Sequence, residues 1–343
     1  MLSRDRPTPA TAIAPNTRME EIEGDASVHP GRKPAVVVLV GPTAVGKTEI
    51  SLLLAERLGA EIVSADSRLF YRGMDIGTAK PSIQDRARVR HHLVDVADPD
   101  ETISLAAFQQ LARETLGDIH ARSRLPLLVG GTGQYIQAVT SGWSPPPVPP
   151  NGALRLVLAG LTSERGAHWL HRGLQRLDPD GADGIDPRNL RRVIRALEVI
   201  FTTGRPFSSQ RVMRETPYTF IIIGLRRPRT ELYARIDARI DCMFDQGLVE
   251  ETRRLLDRGL RSDLPALSAI GYSQCIQLIR GTLELEQAKA EIRRATRAFV
   301  RRQSNWFSES DPDIMWFDAG TERVDEIIEG FVRRSASVTH GHK

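Results

Sequence analysis

The octet Gly41-Pro42-Thr43-Ala44-Val45-Gly46-Lys47-Thr48 constrains this chain more than any other stretch. It satisfies the phosphate-binding pattern G-x-x-x-x-G-K-[ST] without a gap. Ala35 to Val40 precedes it and reads as a buried strand, and Glu49 to Leu58 follows and reads as a helix. A strand-to-helix junction is the setting the pattern requires, because successive backbone N–H groups and the helix N-terminus then converge on one anion. Lys47 adds a mobile positive charge, and the Thr48 hydroxyl suits a magnesium ion. Context and pattern together outweigh a chance glycine turn. The octet predicts a bound di- or triphosphate and leaves the reaction open.

Glu61 to Ala65 reads as a second short strand ending at Asp66-Ser67, Ile103 to His120 as a helix, and Leu125 to Val129 as a third strand ending at Gly130-Gly131-Thr132-Gly133. Strands alternating with helices imply a parallel α/β sheet. Ligands bind such sheets at the carboxyl ends of the strands, so Asp66, Thr132 and the octet are expected to face one crevice. Ser144 to Pro150 (SPPPVPP) breaks the alternation, and from there to about Thr216 the chain looks helical. Tyr218 to Ile223 reads as another core strand, Ile314 to Phe317 as a last one, and a helix follows around Val324 to Val332. The expected fold is a P-loop NTPase-like parallel α/β core with an inserted all-helical domain. The boundaries are a disordered arm over 1–33, a core over 34–144 plus 217–333, the insert over 145–216 and a disordered tail over 334–343.

The 343 residues are 41% hydrophobic and 26% charged, the balance of an ordinary globular protein. Cys242 and Cys275 form neither a disulfide framework nor a four-ligand zinc site, and reduced thiols suit a cytoplasmic location. No apolar run approaches the roughly 20 residues of a membrane span. The N-terminal arm lacks a secretory apolar segment, and Asp5, Glu20, Glu21, Glu23 and Asp25 argue against a transit peptide. A monomer is the expected state. A net charge of +4 makes a weak global field, so local clusters matter more. Arg188, Arg191, Arg192 and Arg195 share one helix face, and Lys289, Arg293, Arg294, Arg297, Arg301 and Arg302 form a second cluster, followed by Gln303-Ser304-Asn305-Trp306-Phe307. Each cluster is either a solvated helix face or a grip on a phosphate backbone with aromatics nearby to stack on bases.

A P-loop NTPase usually ends a core strand on an acid that helps hold Mg²⁺ and water. The Leu125 to Val129 strand ends in glycines instead, and the acid at a strand end near the octet is Asp66. A single carboxylate there is a general base, a metal helper or a turn-capping group. Gly73 to Pro81 (GMDIGTAKP) suggests an irregular loop over the site. His91-His92 with Asp95 reads as structural or substrate-positioning rather than metal-binding, since adjacent residues do not suit one tetrahedral site.

GPTAVGKT, ADS…YRGMDIGTAKP, HHLVD, GGTGQY, IDP…RRVIRALEV…TGRPFS, the LYARIDARID…GLVEE block, AIGY and TR.F.RRQ.NWF run in order from about residue 36 to 318. Together they resemble the tRNA dimethylallyltransferases, also called tRNA isopentenyltransferases. The resemblance implies transfer of a dimethylallyl group from dimethylallyl diphosphate to N6 of the adenosine just 3′ of the anticodon, with Mg²⁺ assisting. It implies that the octet, Gly41 to Thr48, binds the diphosphate, with Thr48 as metal ligand. Asp66 would accept the N6 proton, Thr132 would fix the amine, and Arg229 would add a second cation on the diphosphate. The anticodon stem-loop of tRNA would be held by Asp66, Ser67, Arg68, Leu69 and Thr132, by Arg188, Arg191, Arg192 and Arg195, by Ser268, Gly271 and Tyr272, and by Arg293, Arg297, Arg301, Arg302 and Gln303. Departures from the family pattern are Arg68-Leu69 for Met-Gln, Arg188-Asn189 for Asn-Asp, Gln134 for an apolar residue, and Ser304-Asn305 before Trp306. The octet and the α/β order also fit a small-molecule kinase using ATP, and the basic faces fit a non-enzymatic RNA-binding protein.

Overall fold

The computed structural model describes residues 33–341, apart from Pro147, Arg211 and Arg214; the N-terminal arm inferred from the sequence lies outside the described residues but for Lys33. In chain order the elements are β1 (Ala35–Val40), α1 (Lys47–Leu58), β2 (Ala60–Ser64), α2 (Ile83–Arg88), β3 (His91–His92), α3 (Leu105–Ala121), β4 (Leu125–Gly130), α4 (Gly133–Thr140) and β5 (Trp143–Ser144). Then come α5 (Gly152–Arg165), α6 (Ala167–Leu177), α7 (Pro179–Asp183), α8 (Leu190–Thr203), β6 (Val212–Met213) and β7 (Thr219–Arg226). The chain ends with α9 (Arg229–Asp245), α10 (Leu248–Asp257), α11 (Tyr272–Ile279), α12 (Leu285–Gln303), β8 (Ile314–Asp318) and α13 (Val324–Gly341).

Six strands form one sheet in the order β3-β2-β4-β1-β7-β8, every pairing parallel. The central strand β1 is apolar throughout because both its faces are covered. Alternate side chains serve opposite layers. Val37 and Leu39 join Ile50 and Leu54 of α1, Ile236 and Ile240 of α9 and Ile328 of α13. Val36, Val38 and Val40 join Phe108, Leu116 and Ile119 of α3 and Ile136 of α4. Ser104 starts α3 by accepting the Ala107 N–H, two residues inside the expected helix start. Parallel order places all strand carboxyl ends on one rim, where the loops after β1, β2, β4 and β7 lie side by side.

Between β5 and β6 the chain makes four α-helices, α5 to α8, with their own apolar cluster, in which Leu158, Leu170, Leu174, Val193, Leu197 and Phe207 are buried. β5 and β6 flank these helices and pair antiparallel as a two-residue ribbon at their base. Glu198 of α8 is fully buried and acts as the hub. It accepts two bonds from Arg155 at 2.8 Å, one from Arg195 at 2.6 Å and one from the Asn151 N–H at 2.7 Å. Set against the burial of the carboxylate, these donors hold Glu198 well below its usual range, at about 2. The tail expected to be unstructured from residue 334 is instead the continuation of α13 to Gly341, and β3 had no counterpart among the expected strands.

Candidate active site at the carboxyl rim of the sheet

The octet follows β1 as a tight loop. Gly41 has φ +150°, and a Cβ there would lie 2.7 Å from the Leu225 carbonyl of the neighbouring strand β7, so only glycine fits. Gly46, at φ 116°, turns the chain into α1. Lys47 folds back across the loop, donating to the carbonyls of Gly41 and Pro42 at 2.8 Å each. Burial lowers its pKa to about 8, with Asp66 opposing that shift and Arg239 adding to it. Asp66 and Lys47 therefore lie within electrostatic reach of one another, at the ends of different strands. Thr48 is exposed at the first turn of α1.

Asp66 follows β2 and is half-buried. Its Oδ1 accepts the Arg68 N–H at 2.9 Å, a local turn that fixes the carboxylate direction. Arg68 in turn donates to the carbonyls of Pro265 at 3.0 Å and Ala266 at 3.4 Å, so it ties the Asp66 turn to the 265–268 segment. Ser67 and Leu69 are half-buried beside it, and the Leu69 carbonyl accepts the Asp95 N–H at 3.1 Å. Gly130 closes β4 so near β2 that a Cβ would sit 2.6 Å from the Ala65 carbonyl. Thr132 occupies the N-cap of α4 without spending its hydroxyl on a cap hydrogen bond. Gln303, at the end of α12, joins the two loops: Oε1 accepts from Thr43 N at 2.9 Å and Thr43 Oγ1 at 3.1 Å, and Nε2 donates to Gly131 O at 3.0 Å. A residue expected to touch RNA is thus buried between the phosphate loop and the Thr132 turn.

The cations on the phosphate loop come from the residue just after β7 and from α9. Arg227 Nε donates to Val45 O at 2.9 Å, and Arg235 Nε donates to Ala44 O at 2.8 Å. Arg239, one turn after Arg235, has its pKa lowered by burial first and by Arg235 second. Arg229, expected as the second cation, is exposed at the first turn of α9. It stands six residues before Arg235, the α9 arginine that reaches the loop, which makes Arg235 the candidate for that role. The repeat Arg235-Ile236-Asp237-Ala238-Arg239 carried the signal, since a spacing of four puts both arginines on one helix face.

The GMDIGTAKP loop is braced from inside the protein. The buried Glu251 carboxylate receives the backbone N–H groups of Asp75, Ile76 and Gly77 at 2.9–3.2 Å and the Tyr272 hydroxyl at 2.6 Å. Lys80 donates to the Tyr71 carbonyl at 2.8 Å and to Asp75 and Asp95 at 2.6 Å each. Tyr272 is wholly buried, with its ring against Gly77, and Gly271 is buried with its N–H on Gln274 at 3.0 Å. Neither is a surface for RNA; of that trio Ser268 alone is exposed, its hydroxyl on the Pro265 carbonyl at 2.6 Å. His92 Nε2 lies 2.6 Å from Glu61 and His91 Nδ1 donates to Val89 O at 2.8 Å, a structural use of the pair.

The two arginine clusters divide. Arg188 is exposed and pairs with Asp186 at 2.7 Å, and Arg191 and Arg192 are exposed. Arg195 is turned inward onto Glu198 and the carbonyls of Pro146 and Val148, where it fastens the proline stretch to α8. On α12, Arg293 donates to Asp241 at 2.7 Å, and Arg297 donates to Asp237 at 2.5 Å while lying 4.9 Å from the Tyr233 ring centre. These two hold α12 to α9. Arg294, Arg301 and Arg302 are exposed.

An anion cradle rimmed by Lys47, Arg227, Arg235 and Arg239, with one carboxylate across the crevice, can stabilise a departing polyphosphate while Asp66 takes a proton. Residues 69–310 match the family model described as IPP transferase. A Roseiflexus sp. protein named tRNA dimethylallyltransferase is 47% identical over 87% of this chain and 98% of its own length. A Geobacillus thermodenitrificans protein of the same name is 44% identical over 88% of this chain and 99% of its own. The crystal structure of a full-length tRNA isopentenylpyrophosphate transferase from Bacillus halodurans is similar, with a TM-score of 0.66, 39% identity and coverage of 90% of this chain and 100% of that one. A eukaryotic dimethylallyltransferase crystallised acting on tRNA shares the fold at a TM-score of 0.72, with 24% identity over 90% of this chain and 79% of that one.

Proposed function

The chain belongs to the IPP transferase family, whose curated relatives are tRNA dimethylallyltransferases, and from that premise we propose that it transfers a dimethylallyl group from dimethylallyl diphosphate to N6 of the adenosine just 3′ of the anticodon, releasing diphosphate. The observation that carries this reading is the placement of Asp66 within electrostatic reach of Lys47, whose loop is shaped for a phosphate chain. The same relatives favour prenyl transfer over the kinase that the octet alone also fits.

An adenine amine is a weak nucleophile, because its lone pair is delocalised into the ring. An allylic diphosphate compensates, since its C1–O bond breaks readily once the leaving charge is stabilised. Lys47, the backbone N–H groups at the start of α1, Arg235 and Arg239 supply that stabilisation. As N6 bonds to C1, Asp66 accepts an N6 proton, and diphosphate departs with the electron pair of the C1–O bond. A proton acceptor so placed is worth roughly 10²–10⁴ in rate. Thr132, free of capping duty, holds the base in the crevice. The base reaches this rim after leaving its stack.

The residues fit a magnesium ion held chiefly by substrate. Among the described residues no cluster of three or more His, Cys, Asp or Glu could cage a metal alone. Mg²⁺ typically takes one or two protein oxygens and leaves the rest to phosphates and water. Thr48, exposed at the first turn of α1, would supply one such oxygen. The ion, when bound, neutralises diphosphate charge.

The insert, bounded near residues 145 and 216, would close on the anticodon stem-loop from one side, with exposed Arg188, Arg191 and Arg192 on its face. Arg294, Arg301 and Arg302 would meet RNA phosphates from the other. No helix among the described residues is long and apolar enough to cross a membrane. We place the enzyme in the cytoplasm with its tRNA, acting as a monomer. A mass measurement on the adenosine 3′ of the anticodon, in tRNA from cells lacking this gene, tests the reading. Loss of the prenyl group supports it, and an unchanged adenosine contradicts it.

A further inference from the structure

We propose that Gln303 is a positioning residue that turns the Thr43 hydroxyl into a hydrogen-bond acceptor for the attacking amine. This rests on the prenyl-transfer reading above. Thr43 lies inside the phosphate loop, where its ordinary role would be a phosphate donor. The contacts of Gln303 engage that donor instead.

Gln303 is only 6% exposed, and the two ends of its amide meet unlike backbone groups. Thr43 N–H can only donate, so the 2.9 Å contact identifies Oε1; Gly131 C=O can only accept, so the 3.0 Å contact identifies Nε2. The partners thereby set the amide orientation. Thr43 Oγ1 lies 3.1 Å from the same Oε1. An amide oxygen carries no proton, so the single hydroxyl proton points at Gln303. Both donors of Thr43, N–H and O–H, are spent on one side chain. What Oγ1 has left is lone pairs.

A diphosphate offers only acceptors, and lone pairs cannot serve it. The exocyclic amine of adenine offers two N–H groups. One proton passes to Asp66 as the N6–C1 bond forms and the C1–O bond breaks. The other stays on nitrogen, and Thr43 Oγ1 accepts a hydrogen bond from it. That bond fixes the rotation of the amine, and with it the direction of attack on C1. The second arm of Gln303 keeps this acceptor beside the Thr132 turn. The three segments meet so closely that a Cβ on Gly131 would lie 2.4 Å from Nε2 and 3.3 Å from the Gly41 carbonyl. Three residues on, the Trp306 ring covers Gly133, where a Cβ would lie 2.2 Å from it.

The test uses the full-length enzyme, an anticodon stem-loop and dimethylallyl diphosphate. Single-turnover rate is measured alongside KM for the diphosphate and calorimetric binding of inorganic pyrophosphate. Gln303→Leu and Thr43→Val are each expected to slow the single turnover about tenfold or more, with KM for the diphosphate moving less than about threefold. Thr43→Ser, which keeps the hydroxyl, is expected to retain the wild-type rate. The double variant is expected to be no slower than the slower single one, because both act through one hydrogen-bond chain. Thr43→Val, nearly isosteric, keeps the test open should Gln303→Leu unfold. The proposal is overturned if Thr43→Val weakens pyrophosphate binding about tenfold at an unchanged rate, or if the single losses multiply in the double variant. An inactive wild-type enzyme overturns the prenyl-transfer reading as well. An active wild type with a fully active Thr43→Val overturns this proposal alone.

Discussion

The Tyr272 hydroxyl donates a 2.6 Å hydrogen bond to the buried Glu251 carboxylate, which also receives the N–H groups of Asp75, Ile76 and Gly77. A segment expected to face RNA is instead the internal post that holds the GMDIGTAKP loop. Tyr272→Phe removes one of four donors and is expected to cost about 1–2 kcal/mol. Glu251→Ala orphans three backbone N–H groups and the phenol together, and is expected to cost about 3 kcal/mol or more. Urea unfolding of the two variants measures both. An RNA affinity lost by Tyr272→Phe at unchanged stability would contradict the internal assignment.

Lys47 carries the pH prediction. Its folded pKa is about 8, below the ordinary lysine value of 10.5, so the side chain is neutral above pH 8 in the free protein. Pyrophosphate binds the charged form better. Affinity is therefore expected to fall as pH rises through 8, with proton uptake on binding near that pH. The sign for stability is opposite: between pH 8 and 10.5 the unfolded chain binds the extra proton, so this residue's contribution to stability increases with pH there. Calorimetry in buffers of different ionisation enthalpy reads the uptake, and Lys47→Met is expected to abolish it.

Arg235→Ala is expected to raise KM for dimethylallyl diphosphate about tenfold or more, since it removes a cation held on the loop at Ala44. Arg229→Ala, exposed at the helix start, is expected to change it by less than about threefold. Steady-state kinetics on both variants decides whether the shift of assignment from Arg229 to Arg235 is right.

The arginines of α12 are expected to separate in two assays. Arg301→Ala and Arg302→Ala, both exposed, should each reduce the slope of log affinity for the stem-loop against log salt by about 1. Arg297→Ala should leave that slope nearly unchanged and cost about 1 kcal/mol of stability, from its bond to Asp237 and its stacking on Tyr233.

What the sequence made legible was local chemistry. The octet, Asp66 and Gly130-Gly131-Thr132 stand at strand ends because the phosphate cradle and its neighbours need those residue types in short, contiguous runs. Strand order was not readable: β2 lies beside β4, and β4 beside β1, through crossovers that no local pattern encodes. The arginine roles were half readable for the same reason. A face of charge is visible in Arg293 and Arg297, while the acids that satisfy it, Asp237 and Asp241, lie more than fifty positions earlier on α9. Tyr272 was misread because a motif shows that a tyrosine is required, not whether a buried carboxylate or a nucleobase requires it.

The account turns on one carboxylate acting beside one phosphate loop, and the direct measurement is prenyl transfer from labelled dimethylallyl diphosphate to an anticodon stem-loop by the wild type and by Asp66→Asn. The predicted result is label on the adenosine 3′ of the anticodon with wild type, and a rate lower by about 10²–10⁴ with Asp66→Asn at nearly unchanged RNA affinity. Equal rates for the two proteins, or no transfer by a folded wild type, would contradict it.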